Sequence, residues 1–422
     1  MKSDEAKDTG RAAGTYLRQV TDLVRGAHFA VSDTVHDAVG AVVGPSATPI
    51  RVFSDTITSG VYALTSRGVD AGARVVGAVA AHRMKDGDES RLSLHDGPAA
   101  HHALAIGLGL HGDTLLRESS SIAPAMQVRR SGSAVELTRE GVATAYDQVS
   151  PDLVVFLHGL FETEAAWRLA RIKRRSYAER LQADLGLTPV MVRYNTGLRI
   201  SDNGRDLSSL LTELVAAWPM PVERIVLIGH SMGGLVIHSA LASEPDPSWI
   251  ALVTETVTLG SPHHGAPIAR GLFAAVERFG RRERSRFAAE FLRLRSVGIR
   301  DLAHGNIVAA DWESHDHDDP TDRRTHPGPR ADIRHHAVVG VTGPTLAAPV
   351  SELLGDLLVP VASAAHAELE SVQRRFTHDG IAVVRGVTHL GLLNNEETYA
   401  HLLRWLRPAP SDQPDAVGTS VV

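Results

Sequence analysis

Residues Arg224–Val236, RIVLIGHSMGGLV, constrain this chain more than any other stretch. Ile225, Val226, Leu227 and Ile228 form a run with no polar face, which predicts a short strand buried on both sides. The run stops at Gly229, and an apolar helical pattern (Leu235, Val236, Ile237, Ala240, Leu241) begins just past Ser231. Between two such elements, Gly229-His230-Ser231-Met232-Gly233 fits a nucleophile elbow, a strained strand-to-helix turn that exposes a serine Oγ above a parallel sheet. A Cβ at Gly229 or Gly233 is expected to collide with neighbouring backbone, and Gly234 to let the helix start pack closely. The unpaired N–H groups at that helix start point toward any oxyanion formed at Ser231.

Composition narrows the function classes. The chain has 422 residues, long for one domain, which predicts a large domain with an appendage. A formal net charge of −6 offers no basic footprint for nucleic acid. With no cysteine, disulfides, thiolate chemistry and cysteine-based zinc sites are excluded. The opening MKSDEAKDTGRAAG is polar and lacks an apolar core segment, so a cytoplasmic protein is expected. No run of about 18 apolar residues occurs, so no spanning helix is expected.

The first part of the chain reads as a helical module over residues 1–122. Apolar positions recur at helical spacing from Leu17 to Val39, again at Phe53, Ile57, Val61 and Leu64 and at Val75, Val76 and Val79, and in a shorter pattern at Ala103–Leu110. Two readings stay open: a bundle packed on the main domain, or amphipathic helices that touch a membrane surface or a partner.

Met126–Arg130 and Ala134–Thr138 flank Ser131-Gly132-Ser133 and predict a hairpin. Leu153–Leu157 is a second buried strand, and His158-Gly159-Leu160-Phe161 follows it. From here the chain resembles the α/β-hydrolase superfamily, in its lipase and esterase-like branch, which includes hydrolases similar to the GPI inositol-deacylases. The resemblance spans roughly Met126 to Arg407, and a domain is drawn at 123–408. It implies a mostly parallel sheet with helices on both faces. His158-Gly159-Leu160 matches the superfamily's HG-x motif, which makes the backbone N–H groups of Leu160 and Met232 the oxyanion donors. Two preorganised amides there supply a few kcal/mol of transition-state stabilisation.

Further along, Trp167–Leu181 reads as a basic amphipathic helix, Pro189–Tyr194 as a strand, Leu207–Val215 as a helix and Val253–Leu259 as a strand. Gly260-Ser261-Pro262-His263-His264-Gly265 is a turn similar to one in this branch, and its histidines are read as structural or substrate-contacting. Residues 266–334 form an insertion of the kind that makes a cap or lid, with helices at Ala269–Phe279 and Arg284–Leu294. His315 and His317 sit among carboxylates on its loop, but alternate residues on a loop rarely converge on a metal without further support, so no metal is assigned. His336–Val341 reads as a late strand. Glu352–Pro360 resembles the superfamily's G-D-x-[LV]-V-P segment, which makes Asp356 the triad acid, with Asp332 and Asp379 as rivals. His389, between the strand Ile381–Val384 and the helix Glu396–Leu406, occupies the place of the base. Residues 409–422 are polar and read as a disordered tail.

The expectation is a serine hydrolase of carboxylic esters, of lipid or acyl type, with Ser231 as nucleophile, His389 as base and Asp356 as acid, and no cofactor. An acyltransferase with the same triad and a non-catalytic scaffold using the helical module for membrane or partner contact are the alternatives. Peripheral membrane contact stays open, and oligomeric state is not readable.

Overall fold

The computed structural model describes residues 98–117, 125–168, 174–242, 246–265, 296–313, 324–325, 327–342, 359 and 380–408. The helical patterns expected before residue 98, the two helices expected at 269–279 and 284–294, and the tail lie outside the described residues.

Eight strands form one sheet: β1 (Gln127–Arg130), β2 (Ser133–Ala134), β3 (Asp152–Leu157), β4 (Thr188–Arg193), β5 (Arg224–His230), β6 (Val253–Leu259), β7 (Arg334–Val341) and β8 (Ile381–Arg385). Their order is β2-β1-β4-β3-β5-β6-β7-β8. From β4 across to β8 every pair is parallel, while β1 runs antiparallel to β4 and to β2. The expected hairpin is present, although its second strand spans only Ser133–Ala134.

Period-two alternation sends neighbouring strand residues to opposite faces. Leu153, Val155, Leu157, Ile225 and Leu227 join a core under α4 (Ile200–Ala217) and α5 (Met232–Leu241). Val154, Phe156, Val226 and Ile228 join a second core under α3 (Tyr177–Leu185) and α7 (Glu396–Leu406). β3 and β5 are therefore apolar on both sides, as their sequences demand. Burial of each Val, Leu or Ile side chain there contributes about 1.5–3 kcal/mol. α4 presents Leu207, Leu210, Leu211 and Leu214 to the sheet, a stripe at i, i+3, i+4 and i+7.

The basic stretch expected as one helix over Trp167–Leu181 is two elements. A 3-10 turn covers Glu164–Arg168, and α3 starts afresh at Tyr177. Ser176 and Glu179 form a reciprocal capping box: the Ser176 Oγ accepts from the Glu179 N–H, and the Glu179 carboxylate accepts from the Ser176 N–H at 2.8 Å.

Two helices lie against the C-terminal edge of the sheet. α1 (Pro98–Arg117) contains the pattern noted at Ala103–Leu110 and packs directly on the sheet domain. Its glycines make this contact: a Cβ at Gly109 would enter the Phe161 ring, and one at Gly112 would enter the Asn195 side chain. Asn195 Nδ2 donates to the Gly112 carbonyl at 2.9 Å, and Ser296 Oγ donates to the Gly109 carbonyl at 2.6 Å.

α6 (Val297–His304) was not read from the sequence; it lies inside the 266–334 insertion, capped by Ser296 and closed by Gly305 in the left-handed region. Its Asp301 supplies what α4 lacks. Arg199, at the N-cap of α4, makes no side-chain cap, and the Asp301 carboxylate accepts from the Ile200 N–H at 3.0 Å and from Arg199 Nη1 at 2.6 Å. Among the described residues, no helix is long and apolar enough to cross a membrane.

Candidate active site

The chain leaves β3 for β4 on one side and returns to β5 on the other, so the crevice at the C-terminal ends of β3 and β5 is a topological switch point. The loop after β3 carries His158–Glu162, and β5 ends at His230, directly before Ser231.

Ser231 sits at φ 51°, ψ −120°, a region few L residues occupy. Three contacts impose it. The Ser231 N–H donates to the Leu259 carbonyl at 2.9 Å, and the Gly234 N–H donates to the Ser231 carbonyl at 3.1 Å. A Cβ on Gly233 would come to 2.5 Å from the Leu157 oxygen and 2.7 Å from that of His158. A Cβ on Gly229 would strike the backbone of Gly233 and Gly234, so α5 folds back tightly over β5. Met232 is the first residue of α5 and is fully buried.

The loop after β3 touches the elbow at Gly159, where a Cβ would lie 3.0 Å from the Ser231 Cβ. Residues 159–162 form a turn closed by the Glu162 N–H to the Gly159 carbonyl at 3.2 Å, with Phe161 at φ 60°. The same carbonyl faces His158 Nδ1 at 3.0 Å. In a trans peptide the N–H points opposite to the carbonyl, so anchoring the Gly159 oxygen also fixes the direction of the Leu160 N–H.

His158 itself is neutral. Its Nε2 accepts from the Tyr194 N–H at 3.4 Å, which leaves Nδ1 as the donor to Gly159. Burial pushes its imidazole below the usual histidine value. The Tyr194 ring stacks on it at 4.4 Å, and the Tyr194 hydroxyl donates to the His158 carbonyl at 2.6 Å.

Glu162 and His230 meet behind the elbow. The Glu162 Oε2 accepts from the Gly159 N–H at 2.6 Å and faces His230 Nδ1 at 3.0 Å. Burial would raise the Glu162 carboxyl, but the His230 ring beside it and the Gly159 N–H outweigh that and hold it below the usual glutamate value. His230 Nε2 then reaches the His389 carbonyl at 3.2 Å, and the two rings lie 4.7 Å apart. Sequence reasoning missed this set. Its only linear signal is the histidine inside the elbow motif, and nothing in spacing ties it to Glu162.

His389 opens the 3-10 turn Leu390–Asn394 after β8 and is buried. β8 stands three strand spacings from β5, about 14 Å, so its loop must reach back across β7 and β6 to touch His230. The structure thus gathers Ser231, Met232, Leu160 and His389 around His230 and Gly159. Asp356 and Asp379 lie outside the described residues. Asp332 precedes β7 at the opposite end of the sheet and pairs with Arg330 Nε at 3.3 Å, which removes it as a partner for His389.

The paired-histidine turn is also built in. His263 is buried, its ring is 4.9 Å from that of His238, and its Nε2 is 3.3 Å from Thr258 Oγ1. His315 and His317 lie outside the described residues, among which no group of histidines and carboxylates is placed to hold a metal.

Sheet order, strand directions and the strained serine turn define an α/β-hydrolase fold. Within it, residues 150–327 match the family model described as PGAP1-like alpha/beta domain. No curated protein matches the sequence. Among solved structures, the chain is similar to the mature lipase BlEst2 of Bacillus licheniformis, with 16% identity over 61% of this chain and 92% of that one, at a TM-score of 0.36. It is similar to an esterase of Pyrococcus furiosus, with 16% identity over 61% and 82% and a TM-score of 0.37. A phospholipase of Legionella pneumophila, PlaB, gives 14% identity over 61% and 59% with a TM-score of 0.38.

Proposed function

We propose that this protein is a serine hydrolase that cleaves carboxylic esters of acyl or lipid type through a covalent acyl-enzyme. One observation carries the reading: Ser231 is held at positive φ between β5 and α5, with the loop of His389 brought against the residue that precedes it. In this reading the His389 imidazole removes the Ser231 proton as Oγ attacks the ester carbonyl. The oxyanion is met by the N–H groups of Leu160 and Met232. His389 returns the proton to the leaving alkoxide, then activates water to release the acid. Asp356 would accept the imidazole Nδ1–H and stabilise the imidazolium. The lipid preference rests on the resemblance to lipases and on the insertion after β6, read as a cap.

The test is a panel of p-nitrophenyl esters of graded acyl length, run on wild type and Ser231→Ala, together with fluorophosphonate labelling. Wild type is expected to turn over and to be labelled at Ser231, and the variant to lose at least about a thousandfold in kcat. Equal turnover by both proteins, with no label on either, would overturn the reading. Adding acceptor alcohols and analysing products separates hydrolysis from acyl transfer.

A further inference from the structure

Three loops from three strands must keep a common geometry for the proposed chemistry: the Gly159–Glu162 turn after β3, the elbow after β5 and the His389 loop after β8. The first and last of these are joined through His230 and Glu162. Both ring nitrogens of His230 face oxygen acceptors, the Glu162 carboxylate at 3.0 Å and the His389 carbonyl at 3.2 Å. Each ring nitrogen therefore has a partner of its own, one in the Glu162 loop and one in the His389 loop. The carboxylate also accepts from the Gly159 N–H at 2.6 Å, the amide one residue before the expected oxyanion donor.

The surroundings leave the pair little freedom. The His230 side chain has no exposed surface and that of Glu162 only 9%. Trp167 packs its ring edge-on to His230 at 6.4 Å. His158 holds the following peptide, that of Gly159 and Leu160, through its carbonyl. A carboxylate and an imidazole in such a place are costly to desolvate, and a plain structural need could be met by apolar residues of the same volume. What apolar residues could not do is fix two loop backbones by directed hydrogen bonds.

We infer that Glu162 and His230 form a positioning pair: Glu162 sets the oxyanion loop through the Gly159 N–H and orients His230, and His230 sets the base loop through the His389 carbonyl. The pair touches no substrate atom. It keeps the Leu160 N–H and the His389 ring in register with Ser231. This inference rests on the serine-hydrolase reading and deepens it.

The test uses the full chain and a short-chain p-nitrophenyl ester. Glu162→Gln keeps an oxygen for the Gly159 N–H but replaces the carboxylate that faces His230 Nδ1 with an amide. It is expected to lower kcat by roughly 10–100-fold, since misplacement of catalytic groups by about 1 Å has effects of that size. KM is expected to stay within about twofold, because ground-state binding is not touched. His230→Gln should fall by a similar factor, and the double variant should be no worse than the poorer single. Glu162→Asp, which keeps the charge, should recover part of the loss. Turnover of Glu162→Gln within twofold of wild type overturns the inference. So does a change confined to KM, a double variant whose loss is the product of the two singles, or no recovery in Glu162→Asp. If Glu162→Gln does not fold, the His230→Gln and Glu162→Asp arms decide by the same criteria. The two readings fail differently: a wild type that neither turns over nor labels at Ser231 removes both, whereas an active, labelled wild type beside an undiminished Glu162→Gln removes only this one.

Discussion

A serine at φ 51°, ψ −120° costs on the order of 1–3 kcal/mol of backbone strain relative to a relaxed residue. The fold retains it because the Leu259 carbonyl, the Gly234 N–H and the close pass of Gly233 over Leu157 leave no other path. Ser231→Gly should therefore unfold at higher urea, with a gain of about 1 kcal/mol, while losing ester turnover. A loss of stability in that variant would show that the backbone is not strained. Gly233→Ala should cost about 2 kcal/mol or more, because its methyl meets backbone oxygens that cannot step aside. Thermal unfolding checks this, and an unchanged midpoint would contradict it. These residues were legible in the sequence because the turn demands glycine at set spacings beside an apolar strand. Glu162 was not, since it meets His230 across 68 positions and spacing carries no trace of such a contact.

Elements show the same division. The helix at Glu396–Leu406 was read with the bounds the structure gives, since Asn395 caps it and Glu396 and Glu397 fill its first turn. The break before α3 was equally written in Ser176 and Glu179, but the run of arginines hid it. α6 could not be read, because its role is to cap a helix 101 residues earlier in the chain. That role makes a prediction at the scale of the element. Asp301 is fully buried, and burial pushes its carboxyl up to about 6, against the pull of Arg199, the Ile200 N–H and Asn306. Asp301→Ala takes the carboxylate from the Arg199 guanidinium and uncaps α4, at an expected cost of about 3–5 kcal/mol. Urea titration with far-UV circular dichroism measures it, and a cost under about 1 kcal/mol would mean that α4 is capped by other means.

Among the described residues of the whole molecule, buried histidines lead the acid response. Burial holds His158 and His335 below the ordinary imidazole value of 6.5 and pushes His336, stacked on Trp405, down to about 4. The unfolded chain takes up these protons first, so stability falls as pH drops from about 6.5 to about 4, with His336 alone contributing on the order of 3 kcal/mol. Asp301 works the other way between 3.8 and about 6, and Asp206, raised by burial, acts in the same sense, while His401, also lowered by burial, acts with the other histidines. Glu162 and Glu164, whose carboxyls are held below 4.5, add further loss at the acid end of that range and beneath it. Urea midpoints at pH 7.5, 5.5 and 4.5 should fall in that order, and a flat series would show that these rings are not held neutral. Sheet order and the gathering of Ser231 and His389 follow from strands and turns that announce themselves locally. The weld between α1 and the sheet does not, since the glycines that make it look like ordinary helix filler.

That weld bears on where this protein can be cut. A fragment begun at residue 123 would strip the cover from Phe161 and Asn195, leave the Ser296 hydroxyl without the Gly109 oxygen, and free Arg193 Nη2 from His101, now 3.3 Å away. The smallest autonomous unit should start ahead of Pro98, and anyone trimming to the sheet domain alone should expect an insoluble product.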